Sequence, residues 1–137
     1  MKRYLLDTNI ISELHKPKPH GGVAAWFDGL RDEQIYLSSF TFAELQEGIE
    51  RTRKQDPEKA RSIELWVDRL EGSFSILPMD ARCFREVVRM MLGKQEHLYD
   101  DAMIAATAHL HGLTVATRNE KDFANFTVEY VNPFKII

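Results

Sequence analysis

Cysteine is almost missing from this chain: Cys83 is the only one in 137 residues. That excludes an internal disulfide and any cysteine-ligated metal cluster, and its place in "ARCFREVVRMM" has core-like spacing. No apolar run approaches the ~20 residues of a membrane span. The opening "MKRYLLDTNII" is too short, and turns acidic too soon, for a signal peptide. Repeats, low-complexity tracts and dividing linkers are missing as well. Positive charge is not in excess, with 18 Lys and Arg against 21 Asp and Glu for a net charge of −3. The total therefore advertises no nucleic-acid surface, although an acidic metal-binding cluster would hide a basic rim in such a sum. What remains is an ordinary globular composition, 44% hydrophobic and 28% charged. The expectation is one cytoplasmic domain, residues 1–137, without a membrane segment.

Short apolar runs alternate with amphipathic ones. "YLLDTN" reads as a buried strand and "IISELHK" as a helix that stops at "PKPHGG". "VAAWFDGL" is a further short helix, followed by the strand "QIYLSS" and the helix "TFAELQEGIERTRK". Asp56 and Pro57 have the types expected at an N-cap and a first helical position, opening "PEKARSIELWVDRLEG". The strand "FSILPMD", the helix "ARCFREVVRMMLGKQ", a helix over Asp100–Gly112 and the strands "TVATRN" and "TVEYVN" complete the pattern. Such alternation predicts an α/β fold with a central, mainly parallel five-stranded sheet covered on both faces.

That architecture locates the chemistry. Parallel strands end on one edge, where ligands bind, and the helices that connect them begin at the same edge. Asp7 closes the first strand, Ser38 and Ser39 the second, and Glu44 lies just inside the next helix. Asp100 and Asp101 open the helix "YDDAMIAATAHLHGL", while Thr117 and Asn119 close "TVATRN", with Asp122 just beyond. Each acid alone has an ordinary explanation. Asp7 suits a turn, Glu44 shares a solvated helix with Glu47 and Glu50, and "TRNEKDF" is a polar turn. His109 and His111 lie towards the far edge and read as structural. Taken jointly, the acids gather at one edge, where only Arg118 could compensate them. Carboxylates in such company repel one another and call for a divalent cation. Hard oxygen donors with few His and no Cys suit Mg²⁺ or Mn²⁺ rather than Zn²⁺. A site of that kind activates water against a phosphodiester.

Three stretches, "YLLDTNIISEL", "SSFTFAELQEGI" and "DDAMIAATAHLHGLTVATRNEKDF", resemble the PIN-domain ribonucleases. The similarity is specifically to VapC-like toxins of type II toxin–antitoxin pairs, near their FitB-like branch. It runs over nearly the whole chain in the family's order. The resemblance implies a PIN-like three-layer α/β/α fold and a Mg²⁺-dependent endoribonuclease, with Mn²⁺ as the alternative ion. Asp7, Glu44 and Asp101 match the metal ligands. Many relatives carry a fourth acid where this chain has Asn119, with Asp122 following, so both are held as auxiliary ligands. Thr8, Asn9 and Ser39 match supporting polar positions, Thr117 joins them at its strand end, and Asp100 is left as the helix cap.

By the same resemblance, water hydrolyses an RNA phosphodiester while the metal polarises the phosphate and stabilises the leaving 3′ oxygen. The substrate is structured RNA, tRNA first, cut in single-stranded loops whose backbone can be splayed. Lys16, Lys18, Arg51, Arg53, Lys54 and Arg118 are the candidate phosphate contacts. The implied partner is a cognate VapB-like antitoxin bound beside the active site, on a toxin homodimer that forms a heterotetramer or larger assembly. Phe42, Leu45, Ile49, Leu65, Trp66 and Leu70 are candidate apolar anchors, Trp66 first. Two rival readings compete with this one. Receiver or haloacid-type phosphatase domains want different acid patterns from "DTN". A catalytically inactive PIN-like RNA- or protein-binding module is opposed by the intact Asp7, Glu44 and Asp101, although Asn119 leaves it standing.

Overall fold

The computed structural model describes residues 1–136. Five strands, β1 (Tyr4–Leu6), β2 (Ile35–Ser38), β3 (Ser75–Leu77), β4 (Thr114–Ala116) and β5 (Tyr130–Val131), form one sheet in the order β3-β2-β1-β4-β5. Every pairing is parallel, in register Leu5↔Tyr36 and Leu6↔Ala116 around the central strand. Seven α-helices join them: α1 (Thr8–His15), α2 (Gly21–Asp28), α3 (Ser39–Arg53), α4 (Pro57–Ser73), α5 (Ala81–Met91), α6 (Tyr99–His111) and α7 (Glu120–Phe123).

Period-two alternation divides the core. Leu5 and Val115 face one layer, where they pack with Cys83, Val87 and Met91 of α5, the alanines of α6 and Phe123 of α7. Leu6, Leu37 and Ala116 face the other, built from Ile10, Ile11, Val23, Leu45, Ile49, Ala60 and Val67 of α1 to α4. Buried strands flanked by helices on both faces need such apolar residues on both sides. α6 is the tightest element, with Ala102, Ala105, Ala106 and Ala108 all at 0% exposure. Their small side chains let this helix sit against β1, β4 and α5, where a larger residue would force overpacking. Gly112 ends α6 at φ 66°, a left-handed conformation natural to glycine, and the Leu113 N–H returns to the Ala108 carbonyl at 2.9 Å.

The caps expected at Asp56 and Pro57 are present: the Lys59 N–H donates to Asp56 Oδ1 at 3.1 Å, with Pro57 at the first turn. Asp100 is a correction. A 3-10 turn over Glu96–Leu98 runs straight into α6, Leu98 takes the N-cap position, and no side chain accepts a bond there. The exposed Asp100 contributes only its charge to the first turn. Among the described residues no helix is long and apolar enough to cross a membrane.

Candidate active site

β1 lies at the centre of the sheet, and the chain departs from it first towards β2 and later towards β4. The crevice outside those strand ends is where α/β sheets bind ligands. Asp7 stands there, immediately after Leu6, as the N-cap of α1. Its Oδ1 accepts the Thr8 N–H at 2.9 Å, and its Oδ2 accepts Thr117 Oγ1 at 2.8 Å and Asn9 Nδ2 at 3.2 Å. The same two partners tie β1 to β4: the Arg118 N–H donates to Asn9 Oδ1 at 3.2 Å, and the Asn119 N–H to Thr117 Oγ1 at 2.9 Å. On the other flank, Glu44 of α3 accepts the Thr8 hydroxyl at 2.6 Å. The buried Thr41 lies 3.4 Å from that hydroxyl. Thr41 is absent from the residues expected above, yet its position three before Glu44 puts both on one helical face.

Asp101, in the first turn of α6, faces the same crevice. The Asn119 amide donates to Asp122 Oδ2 at 2.8 Å and reaches Asp101 Oδ2 at 3.5 Å. The Asn119 amide thus lies between two carboxylates. Among the described residues none of Asp7, Glu44, Asp101 and Asp122 forms an ion pair.

The consequence is electrostatic. Burial raises the Asp7 pKa against the lowering effect of its three hydrogen bonds. Burial also raises that of Glu44; Thr8 opposes the rise, while the charges of Asp7, Asp100 and Glu47 add to it. Asp101 is pushed up to about 7, by burial first and then by Asp7, Asp122 and Glu44. Desolvated carboxylates that raise one another lack a positive partner.

The donor set fits a hard dication: carboxylate, amide and hydroxyl oxygens, without a thiol or imidazole among them. Among the described residues no three Asp, Glu, His or Cys side chains converge closely enough to enclose an ion by direct contact. A Mg²⁺-type ion usually retains several of its waters and needs only one or two carboxylates in direct contact.

Several expectations are corrected. Ser39 does not reach a carboxylate, because its Oγ accepts the Met79 N–H at 2.9 Å and fixes the turn after β3. Arg51, Arg53 and Lys54 lie seven to ten residues beyond Glu44, roughly 10–15 Å down α3 towards the far edge of the sheet. Arg51 pairs there with Glu47 at 3.4 Å, and Arg53 with Glu50 at 3.0 Å and Glu64 at 2.9 Å. Lys16, past the end of α1, pairs with Glu13 at 2.9 Å, and Lys18 follows it in the exposed loop. Cations gather at helix C-termini, and in a parallel sheet those ends point away from the site. Arg118 alone stays at the edge, with its guanidinium 4.4 Å over the Phe134 ring. Of the apolar anchors, Leu45, Ile49 and Leu70 are core residues. Phe42 is half-buried, Trp66 stacks on His15 at 3.9 Å, and Leu65 is exposed.

Residues 4–128 match the family described as PIN domain. The chain belongs to the PIN-domain family. Its PIN-domain relatives include VapC ribonuclease Y4jK of Sinorhizobium fredii, 36% identical over 96% of this chain and 97% of that protein. Toxin FitB of Neisseria gonorrhoeae is 36% identical over 95% and 97%. The crystal structure of FitAcB from Neisseria gonorrhoeae superimposes with a TM-score of 0.81 at 36% identity, over 97% of this chain and 99% of that one. The PIN fold therefore extends over nearly the whole chain.

Proposed function

We propose that this PIN domain is a divalent-metal-dependent endoribonuclease, the toxin of a VapBC-type pair, cutting structured RNA in the cytoplasm. One observation carries the reading: Asp7, Glu44, Asp101 and Asp122 share one sheet edge, none of them forms an ion pair among the described residues, and Asp101 is pushed up to about 7. A purely structural buried acid acquires a cationic partner, whereas Arg118 at this edge lies over the Phe134 ring. The names of the relatives, a VapC ribonuclease and a FitB toxin, support the same reading.

Asp7, Glu44 and Asp101 would hold a Mg²⁺ or Mn²⁺ ion, with Asp122 and Asn119 as auxiliary donors. When bound, such an ion neutralises charge developing on phosphate and lowers the pKa of water. The chain's own part is orientation and charge. Thr117 and Asn9 fix both Asp7 oxygens, and Thr8 fixes Glu44. Asn119 keeps Asp122 beside Asp101. Hydrolysis adds water across the P–O3′ bond, leaving a 5′-phosphate and a 3′-hydroxyl. A carboxylate of this cluster that the ion leaves free is the group available to accept the proton of the attacking water. A tRNA loop is the first substrate to test, since in-line attack needs an unstacked backbone.

The partner in this reading is an antitoxin whose apolar residues meet Leu65, Trp66 and Phe42 along the α3–α4 pair. Self-association has a surface of its own. Phe84, Val88 and Leu92 recur every four residues along and just past α5, exposed by 47%, 62% and 84%. An apolar stripe of that kind on a water-facing helix marks an interface.

The deciding experiment incubates antitoxin-free protein with total RNA and Mg²⁺ or Mn²⁺, then maps the new 5′ ends. Discrete cuts that vanish with EDTA, in Asp7→Asn and in Asp101→Asn are expected. Cutting that survives in the variants, or no cutting with either metal, overturns the reading in favour of an inactive binding module. The amide at position 119 is the feature that module would explain.

A further inference from the structure

With Lys16, Arg51 and Arg53 engaged by acids or lying at the wrong edge, the site as described offers phosphate little positive charge. A cleft of about 620 Å³ beside it supplies some. Its walls are the segment from Gly93 to Leu98 and the short α7, which bring Lys94, Gln95, His97 and Lys121 around Asp122. Asp122 is common to the cleft and the acid cluster, through the Asn119 amide that reaches Asp101. The cleft and the acid cluster therefore share Asp122 as a common wall.

Lys94 and Lys121 are exposed, and among the described residues neither forms an ion pair. The acid next to Lys121 is already taken: Glu120 holds Lys135 at 2.7 Å and Asn132 at 3.1 Å. Lys94 follows Gly93, whose φ of 77° turns the chain out of α5. A Cβ on Gly93 would meet nothing within 4 Å, so this side of the cleft wall faces open space. The volume lies within the roughly 300–1,000 Å³ of small-ligand sites. That suits one or two nucleotides of a single strand.

We infer that this cleft receives the single-stranded RNA flanking the scissile phosphodiester, with Lys94 and Lys121 each contacting a phosphate. The inference rests on the nuclease reading above and adds the path of the strand. It assigns substrate binding to two lysines that lie 27 residues apart in sequence and outside the three stretches' acidic motif positions.

The test is binding rather than turnover. In an Asp101→Asn background, which removes cleavage, fluorescence anisotropy follows an unstructured fluorescein-labelled RNA of about 12 nucleotides over a salt series. Each lost phosphate contact lowers the slope of log K against log salt by about 0.7 for a single strand. Lys94→Gln/Lys121→Gln should therefore lose about 1.4 of slope, and about 10–100-fold of affinity at low salt. Lys2→Gln/Lys59→Gln, exposed lysines outside the cleft, serves as the control of equal charge change and should keep its slope. Melting curves check that each pair stays folded, as exposed lysines allow. Equal slopes in both pairs, with tight binding by the parent, overturn the cleft and leave the nuclease reading intact. No binding by the parent, together with no cutting by the wild type, overturns both.

Discussion

Replacing Asp101 by Asn separates a functional carboxylate from a structural one, because the two roles predict opposite signs of stability change. Asp101 is pushed from 3.8 to about 7 in the fold. A carboxyl raised in this way binds its proton more tightly folded than unfolded. Its contribution is complete below about pH 4 and is lost as pH climbs through about 7. At pH 8 without metal, the folded protein carries the ionised, repelled form. Moving the pKa from 3.8 to about 7 corresponds to at most about 4 kcal/mol. Water at this partly open carboxyl screens the effect to roughly 1–2 kcal/mol.

Asn keeps the shape, removes the charge and can donate to Asp122. Asp101→Asn in EDTA should therefore melt higher than wild type at pH 8, by about 3–6 °C for a domain of this size. The gap should narrow to about a third by pH 5 and close below about pH 4. Asp7 and Glu44 shift in the same direction, and His15, lowered by burial and by Arg69, shifts stability the opposite way below about 6.5. All three are present in both proteins, so the difference reads Asp101 together with its coupling to Asp7 and Glu44. Differential scanning fluorimetry over pH 5 to 8 reads it, alongside an RNA cleavage assay in which the variant is inactive. Mg²⁺ should raise the wild-type melting temperature at pH 8 and leave the variant nearly unmoved. A variant less stable than wild type at pH 8, or a gap independent of pH, would refute the argument that Asp101 is an uncompensated acid.

Other outcomes test the supporting parts. Thr8→Val removes the 2.6 Å hydrogen bond to Glu44; a bond to a charged group is worth ~1.5–3 kcal/mol, so cleavage should fall roughly 10–100-fold in kcat. Glu44 then rises further, and the acid limb of the cleavage–pH profile should move to higher pH. Asn119→Asp adds a carboxylate between Asp101 and Asp122. Metal-free stability at pH 8 should drop by about 1 kcal/mol, while a Mg²⁺ titration of the melting temperature shows a tighter midpoint. Gly112→Ala forces a side chain into the left-handed turn, at a cost of about 1 kcal/mol in urea denaturation with cleavage unchanged. Val88→Glu, on the exposed stripe of α5, should reduce any dimer to monomer in light scattering while leaving the melting temperature nearly unaltered.

Local chemistry alone settled a good deal. Period-two and period-3.6 patterning placed all five strands and α1 to α6, since a buried parallel strand and an amphipathic helix are recognisable from their own residues, while the short α7 lies in what reads as a polar turn. The cap at Asp56 and the core role of Cys83 were legible for the same reason. The strand-edge rule also singled out Asp7, Glu44, Asp101, Asn119 and Asp122, because in a parallel sheet the ends of strands and the starts of helices share one edge.

Tertiary structure decided what depends on the neighbour across space. Asp100 and Asp101 are adjacent identical residues, yet the 3-10 turn before α6 leaves one in water while the crevice buries the other. Ser39 and Thr8 both follow strands, but only the Thr8 hydroxyl meets a carboxylate. Leu45 and Ile49 look like anchors on a helical wheel and prove to be core because α4 covers them. The cations misled for a related reason: charge composition records how many there are, and helix direction decides which edge they occupy. Lys94 and Lys121 became visible only when the turn after α5 folded back against α7. A chain specifies its elements through neighbours in sequence, but a site is made by residues more than a hundred positions apart, as with Asp7 and Thr117 at 2.8 Å, and only packing brings them there.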